Sequence, residues 1–279
     1  MAYKSLLSVI TDLRFADAPL AAMAALAEAN DAHAEALCLG VDRTQTGYYY
    51  AGANAMVLQE TLERAHAEAK EVQGHVNDFL GRTGARWSSD SGVVQLADIG
   101  RHVGFHARFA DLVVLARPYG KDRGPELEAV VESALFEGSA PVLVVPDTGA
   151  VKAAPGTVLV AWNESAEAMN AVRKAMPFLQ QAENVRIVVI DPPTHGPERS
   201  DPGGLLGQML ARHGVKCEID VLSKTLNRVS DVLNRHATDT DADMVVMGAY
   251  GHSRFREAIL GGATRNMLEK AAVPVLLAH

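Results

Sequence analysis

The feature of this sequence that most constrains its fold is that the two halves of the chain repeat one pattern. The segment ADLVVLARPYG at residues 110–120 matches ADMVVMGAYG at residues 242–251. Further along each half, APVLVVP at residues 140–146 matches VPVLLAH at residues 273–279. The same order of apolar segments in both halves indicates a tandem duplication, so the fold must be one that a chain can form twice.

The spacing inside the repeats supports this interpretation. The aspartate of each repeat, Asp111 or Asp243, precedes the proline of the last apolar segment by 30 or 31 residues. A stretch of small residues with proline and glycine, PDTGAVKAAPG, joins the halves and is typical of a linker. We therefore predict two domains, residues 1–147 and residues 154–279.

Within each half, short apolar segments alternate with helical patterns. Segments such as VLVAW, RIVVI and DMVVM are continuously apolar, which is typical of strands that are covered on both faces of a sheet. Strands that alternate with helices form parallel sheets through right-handed crossovers. We predict an α/β fold of two tandem doubly wound domains, each with a five-stranded, mostly parallel sheet flanked by helices.

The last apolar segment of each half, PVLVV or PVLLA, should form an edge strand. An uncovered edge strand favours association, and pairing the two segments with each other would cover both edges. We predict that they pair, which would make the chain an intramolecular pseudo-dimer. A homodimer of the full chain is compatible with this arrangement.

Charge and composition restrict the class of protein. The 279 residues carry a formal net charge of −8, which argues against general binding to nucleic acids or anionic membranes because both need a basic surface. Cys38 and Cys217 lie far apart in apolar segments, as expected of free thiols in a reducing compartment. No signal-peptide pattern begins the sequence, and no run approaches the roughly 18 apolar residues of a membrane span. We expect a soluble, cytoplasmic protein.

Four glycines near the end of the chain indicate where a ligand would bind. Gly248 follows the apolar segment DMVVM directly, and Gly251, Gly261 and Gly262 lead to a helical pattern that begins at residue 263. Glycines at a strand end and at a helix N-terminus allow backbone amides to approach and bind an anion. Three arginines add positive charge in this segment: Arg254, Arg256 and Arg265.

The glycines also have a purely structural interpretation, as a helix C-cap and a tight turn. The segment matches neither the Gly-x4-Gly-Lys-Ser/Thr loop nor the Gly-x-Gly-x2-Gly fingerprint of common phosphate sites.

The pattern Gly-x2-Gly-x9-Gly, formed by Gly248, Gly251 and Gly261, resembles the ATP-binding motif of the universal stress protein family. The resemblance covers essentially the whole chain as two family domains in tandem, and it is more specific in the second half. It implies a stress-linked regulatory role with slow ATP hydrolysis at most. It also implies that the second domain binds ATP or a related adenine nucleotide, with or without Mg²⁺.

In ATP-binding members of that family, backbone amides of the motif hold ribose and phosphates, and an acidic residue at the end of the first strand contacts the nucleoside. Carried over by position, the resemblance implies these nucleotide-binding residues: Ala161, Asn163, Val189, Met247, Gly248, Gly251, Gly261, Gly262, Ala263 and Thr264.

Two of these positions depart from the family pattern. Gly262 stands where ATP binders carry Ser or Thr, and Asn163 stands where Asp is common. Thr264 can replace the missing hydroxyl in part, and losing one charge-assisted hydrogen bond weakens binding by about ten- to hundredfold. The alternative is a family member that binds no nucleotide and acts as a protein-interaction scaffold.

The first half has a less favourable sequence for phosphate. Counting back from the proline of the last strand, Glu128 and Ala129 correspond to Gly261 and Gly262. Glu126 and Glu128 would repel phosphates there, although Asp12 does match the acidic position of the family. We predict that this half binds no phosphate and is either a packing partner or a site for a different small molecule.

Other candidate chemistry is weaker. His102 and His106 are four residues apart and could share a helical face as metal ligands, but the sequence places no third ligand beside them. The sequence likewise places no third metal ligand beside His213 and Cys217. An adenylyl-transferring enzyme would carry a Ser-Gly-Gly-x-Asp-Ser or His-x-Gly-His motif, and neither is present. We predict no catalytic residue and no metal site.

Overall fold

A computed structural model describes residues 2–43, 54–192, 200–249 and 262–279. Contacts between Cα atoms divide the chain into two compact units, Tyr3–Ala140 and Pro141–His279, the second with the first two residues of the chain. No helix among these residues is both long enough and apolar enough to cross a membrane.

The unit Tyr3–Ala140 contains a parallel sheet in the order β3-β2-β1-β4. Its strands are β1 (Ser5–Ile10), β2 (His33–Asp42), β3 (Arg86–Gln95) and β4 (Leu112–Ala116). The helices that connect or follow them are α1 (Asp17–Asn30), α2 (Asn54–Leu80), α3 (Ile99–Ala107) and α4 (Pro125–Phe136). The strand order reverses between β1 and β4, so the crevice expected of a doubly wound sheet lies at their carboxyl ends.

The unit Pro141–His279 contains a sheet in the order β5-β10-β9-β6-β7-β8. Its strands are β5 (Val142–Val145), β6 (Thr157–Ala161), β7 (Asn184–Ile190), β8 (Cys217–Leu222), β9 (Met244–Gly248) and β10 (Val275–Ala278). Its helices are α5 (Ala166–Gln181), α6 (Gly204–Arg212), α7 (Val229–Asp239) and α8 (Ala263–Lys270). The strand order here reverses between β6 and β9.

The predicted fold class is confirmed: the described residues form an α/β structure with mostly parallel sheets and helices between the strands. Each half of the sequence contributes five of the described strands. The predicted pairing of the two last strands is also confirmed, because β5 runs antiparallel to β10 with Leu143 opposite Leu276. The domain limits 1–147 and 154–279 stay a prediction. The compact unit Pro141–His279 contains β5 together with β10, the strand with which β5 pairs.

The position of each strand in its sheet explains its sequence. In β4 the residues Leu112, Val113 and Val114 are completely buried, as continuous apolar strands covered on both faces should be. The outermost strands differ: much of β3 and β8 alternates between exposed and partly exposed residues. Polar residues in RWSSDSGVVQ and CEIDVL are therefore compatible with strands at the sheet edges.

The repeated aspartate that revealed the duplication holds two strands together. Asp111 Oδ2 accepts hydrogen bonds from the amides of Lys4 (2.7 Å) and Ser5 (3.0 Å), where β1 begins. Its own N–H donates to the carbonyl of Ser5 (2.8 Å). The aspartate thus fixes the start of the first strand of its half beside the start of the fourth, which sets the register of the pair.

Asp243 does the same in the second half. Its Oδ2 accepts from the amide of Gly156 (2.7 Å), and its N–H donates to the carbonyl of Thr157 (2.8 Å), where β6 begins. Lys152 adds an ion pair of 2.7 Å to Oδ1. Burial would raise the pKa of Asp243, but the hydrogen bonds and charge of Lys152, with the Gly156 amide, outweigh burial and lower this pKa.

We predict that Asp243→Ala lowers the free energy of unfolding by about 1–3 kcal/mol, because the partly buried amide of Gly156 loses its acceptor and Lys152 loses its ion pair. Asp243→Asn should lower the free energy of unfolding by less, and the size of this loss should depend on pH. A carboxylate with a lowered pKa stabilises the fold above its unfolded pKa of about 3.9, and this contribution is lost as the pH falls through the folded pKa. Urea unfolding followed by circular dichroism at pH 7 and at pH 3 measures both effects. Asp239→Asn, an exposed change at the end of α7, is the matched control; a wild-type advantage over Asp243→Asn that did not shrink in acid would contradict the assignment.

Candidate functional site

A cavity of about 250 Å³ lies at the carboxyl ends of β6, β7 and β9, beside the first residues of α8. This is the crevice at which a doubly wound sheet is expected to bind ligands. Six of the residues predicted from the sequence line it: Ala161, Asn163, Met247, Gly248, Ala263 and Thr264. Parallel pairing places Ala161 directly opposite Met247, so the ends of β6 and β9 form the floor together.

Of the other four predicted residues, two are described by the structure and are absent from the lining. Val189 is buried, and its side chain packs towards Gly203, whereas its neighbours Val188 and Ile190 line the cavity. This follows from the alternation of side chains along a strand, and only the backbone of Val189 can face a ligand here. Gly262 is the N-cap residue of α8 and is absent from the lining. Gly251 and Gly261 lie outside the described residues, as do Arg254 and Arg256.

Gly248 has a packing role that the sequence did not indicate. A Cβ atom added to it would lie 2.6 Å from the amide nitrogen of Ala168 and 2.7 Å from the carbonyl carbon of Glu167. Both are backbone atoms of the first turn of α5, which cannot move aside cheaply. The absence of a side chain at residue 248 therefore lets α5 begin close to the end of β9, which brings Glu167 to the cavity wall.

The turn after β6 presents Asn163 at the cavity. The Oδ1 atom of Asn163 accepts a hydrogen bond from the amide of Ser165 (3.2 Å), and the Ser165 hydroxyl in turn caps α5 by accepting from the amide of Ala168 (3.1 Å). Asn163 is exposed, so its amide group remains within reach of a ligand. The hydrogen bond from the Ser165 amide holds the Asn163 side chain in one orientation at the cavity.

The sequence prediction missed the wall that α7 contributes. Val229, Ser230 and Leu233 line the cavity, and the apolar pair is spaced four residues apart at the start of the helix. That spacing was available in the segment VSDVL, but it is equally typical of any helix that packs on a sheet. With Val188 and Ile190 these residues make one side of the cavity apolar.

Two buried polar atoms in the lining have no hydrogen-bond partner among the described residues: the indole Nε1 of Trp162 and the hydroxyl of Ser230. Burying a polar group without a partner costs about 1–3 kcal/mol, so such groups usually have one. Glu167 is the only charged side chain in the described lining. The cavity thus combines an apolar wall with unmet donor and acceptor capacity and one negative charge.

The N-terminus of α8 closes one end of the cavity. Its N-cap residue Gly262 offers no side chain to the helix amides. Arg228, the residue before α7, donates from Nη1 to Oδ1 of Asn266 (2.9 Å) and so ties α7 to α8. A helix N-terminus carries a partial positive charge, which here faces the same space as Ala263 and Thr264.

The corresponding crevice of the first half is a second cavity of about 510 Å³ at the ends of β1 and β2. Asp12 lines it and is held by Arg14, with Nη2 to Oδ2 at 2.6 Å. Burial would raise the pKa of Asp12, but the hydrogen bonds and charge of Arg14 outweigh it and lower this pKa. Asp12, which stands at the acidic position of the family pattern, therefore already forms an ion pair with Arg14.

The expected alignment of the two helix starts is wrong by about one turn. Residue counting placed Glu128 and Ala129 opposite Gly261 and Gly262, but α4 begins at Pro125 with Gly124 as its N-cap. The reason is length: α4 has 12 residues, whereas α8 has 8. Glu126 accordingly lines the cavity as expected, while Glu128 accepts a hydrogen bond from the Tyr119 hydroxyl (2.9 Å) and is absent from the lining.

The histidine candidates form no metal centre among the residues the structure describes. No cluster of three His, Cys, Asp or Glu side chains suited to a metal is found there. His106 instead pairs with Glu35 at 3.1 Å, and burial, followed by the nearby His106 charge, lowers the pKa of His102. The thiol of Cys217 lies 3.7 Å from the carbonyl oxygen of Gly207.

Comparison with known proteins agrees with the predicted fold. Residues 156–279 match the sequence profile described as the universal stress protein family. A universal stress protein of Synechocystis sp. is 29% identical over 124 residues, which are 43% of this chain and 41% of that relative, so the chain spans about two-fifths of its length.

Solved structures extend the likeness to the whole chain. A universal stress protein of Archaeoglobus fulgidus superimposes with a TM-score of 0.74 at 16% identity, over 98% of this chain and 96% of the other. A universal stress protein solved in complex with cAMP aligns with 45% of this chain and 98% of its own, at 21% identity and a TM-score of 0.38.

The family match covers the second half, where the predicted glycine pattern lies, and the fold match covers both halves. The duplicated sequence, the strand order and these likenesses agree. The second half of the chain, residues 156–279, matches the universal stress protein family, and the chain as a whole is similar in fold to a solved universal stress protein.

Proposed function

We propose that this chain is a cytoplasmic stress-response regulator that binds ATP or a related adenine nucleotide in the cavity of its second half. The observation that carries the proposal is the cavity itself, which lies at the strand-order reversal between an apolar wall and the N-terminus of α8. An apolar wall suits a flat base, and a helix N-terminus suits an anion.

The lining fits the nucleoside part of such a ligand. Val188, Val229 and Leu233 offer apolar surface, while Trp162 Nε1 and the Ser230 hydroxyl offer hydrogen bonds that no described residue takes up. A purine with its ribose supplies acceptors and donors on its edges. Asn163, at the end of β6, is the candidate for a ribose hydroxyl because it is exposed and held by the turn.

Among the described residues, the phosphate end would depend on the backbone of α8. No lysine or arginine is found in the described lining, so the first turn of α8 would supply the favourable field. Gly262 contributes no hydroxyl there, and Thr264 lines the cavity within the first helical turn. We expect moderate affinity from this arrangement.

Any Mg²⁺ would arrive with the nucleotide. Glu167 is the one carboxylate in the described lining, and the described residues contain no cluster of three metal-ligating side chains. A single carboxylate with phosphate oxygens and water is a common environment for Mg²⁺. With no general base evident beside it, we expect slow hydrolysis at most.

Glu167 also favours the second candidate function, a scaffold that binds protein partners and no nucleotide. Its carboxylate lines the same small cavity, where it would repel phosphates that Mg²⁺ did not neutralise. The two functions are separated by direct titration with ATP in the presence and absence of Mg²⁺. A pseudo-dimer of the two halves and a homodimer of the chain stay predictions in either case.

We predict that Ala263→Asp weakens ATP binding at least about tenfold, because a carboxylate at the start of α8 repels phosphate across a few ångströms. Ala263 is exposed, and an acidic residue in the first turn favours the helix, so the fold should tolerate the change. Isothermal titration with ATP and with adenosine measures it. Adenosine affinity should change by less than about threefold, since the substitution acts on charge.

The matched control is Ala263→Asn, which adds the same volume without charge and should bind ATP nearly as the wild type does. Equal losses in both variants would show a steric effect and contradict the phosphate assignment. Failure of the wild type to bind ATP at millimolar concentration, with or without Mg²⁺, would favour the scaffold.

A second prediction concerns the nucleoside end. Asn163→Asp should tighten binding of both ATP and adenosine by about five- to tenfold, because charge-assisted hydrogen bonds are roughly twice as strong as neutral ones. The Asp side chain can still accept from the Ser165 amide, so the turn is retained. Asn163→Ala, which removes both contacts, should weaken the binding of both ligands. Competition with a fluorescent adenosine analogue ranks the three proteins, and equal affinities would exclude residue 163 from the site.

A further inference from the structure

The cavity of the first half has a charge pattern unlike that of the second. Five carboxylates and three guanidinium groups line it among the described residues, a formal excess of two negative charges. The carboxylates are those of Asp12, Glu68, Glu71, Asp122 and Glu126. A volume of about 510 Å³ is within the range of small-molecule sites.

Each of the three guanidinium groups already has a partner. Arg14 binds Asp12, and Arg43 contacts Glu126 at 2.7 Å and Glu68 at 3.6 Å. Arg123 donates to the carbonyl of Arg117 and lies 4.1 Å from the centre of the Phe15 ring. Positive charge in the cavity is therefore used within the protein, not left for an anionic ligand.

Two buried acceptors in the lining have no hydrogen-bond partner among the residues that the structure describes. Glu126 has a side chain only 3% exposed, and its Oε1 binds Arg43, but its Oε2 has no partner among those residues. Thr11, at 7% exposure, lines the same cavity, and its hydroxyl has no partner in the described part of the chain. The side chains of Glu71 and Asp122 also make no hydrogen bond or ion pair with a described residue.

The carboxylate of Glu126 lies where an anion would otherwise bind. A Cβ atom on Gly124, the N-cap of α4, would be 2.2 Å from Oε2 and 2.4 Å from Oε1. The carboxylate therefore folds back over the helix N-terminus, and the glycine provides the space. A built-in anion at this place repels phosphate and leaves one oxygen that requires a donor.

We infer that the cavity of the first half binds a small organic cation with ammonium groups, which donates hydrogen bonds to Glu126 and Thr11 and offsets the excess of carboxylates. The described carboxylates form no cluster suited to a metal ion, so separate ammonium groups on one flexible molecule fit their spread better. An ammonium group has three donors and no acceptor, which matches the unmet acceptors of Glu126 and Thr11 among the described residues. This site is independent of the nucleotide cavity.

The test uses the full chain with spermidine as the probe and inorganic phosphate as the anionic comparison. Spermidine should bind with saturation, and NMR should show shifted methyl signals of Val72, which lines this cavity, and unshifted signals of Val188, which lines the other. Glu126→Gln keeps the side-chain shape, removes the charge and should weaken spermidine binding by at least about tenfold. Thr11→Val, a second variant of similar volume, should weaken it less.

Asp78→Asn is the matched control, because residue 78 is exposed on α2 and absent from the lining. It should leave the affinity unchanged, which distinguishes a built site from general attraction to an acidic protein. Equal losses for Glu126→Gln and Asp78→Asn, an unshifted Val72 signal or a Val72 shift with inorganic phosphate would each overturn the inference. Ala263→Asp, a change in the other cavity, should retain spermidine binding. Loss of ATP binding can therefore be distinguished from loss of spermidine binding.

Discussion

The rest of the structure depends on parallel pairing between the first and fourth strands of each half, held at its start by one aspartate. Asp243 ties the beginning of β6 to β9, and this register places Ala161 opposite Met247 at the other end. The crevice opens there because the next strand along the chain lies on the far side of β6. Asp111 sets β1 beside β4 in the same way. The residues that hold the strands are thus remote from the cavities they shape.

Because the residues that hold the strands are not those that line the cavities, a duplicated chain can keep one fold and carry two different cavities. The aspartates, the apolar strands and the pairing of β5 with β10 retain the repeated pattern. The cavity linings do not: one is mainly apolar with a single carboxylate, and the other is dense in ion pairs. A buried carboxylate in a lining, such as Glu126, requires a partner such as Arg43, because an unpaired buried charge is strongly destabilising.

The sequence predicted the parts that obey simple periodic rules. The mostly parallel α/β architecture and the paired last strands followed from apolar segments and the repeat, and the positions of Asn163 and Thr264 at the cavity followed from the family pattern. The α7 wall was missed because an apolar pair four residues apart is the same in a cavity wall and in a packed helix. Gly248 was interpreted through ligand approach, yet its close contact with Ala168 shows a packing reason that only three-dimensional distances reveal. Glu128 was misplaced because residue counts cannot detect that α4 is one turn longer than α8.

The two cavities differ in charge at the start of the helix that borders each of them, α4 in the first half and α8 in the second. Both α4 and α8 begin after a glycine N-cap that provides no capping side chain. In α4 the second helical residue supplies a carboxylate that folds back over Gly124 and binds Arg43, so the positive end of the helix is compensated within the protein. In α8 the corresponding residue is Thr264, which brings a hydroxyl and no charge to the cavity. The two helix starts thus differ in charge at this position, and we expect the α8 start to be the more favourable of the two for an anion.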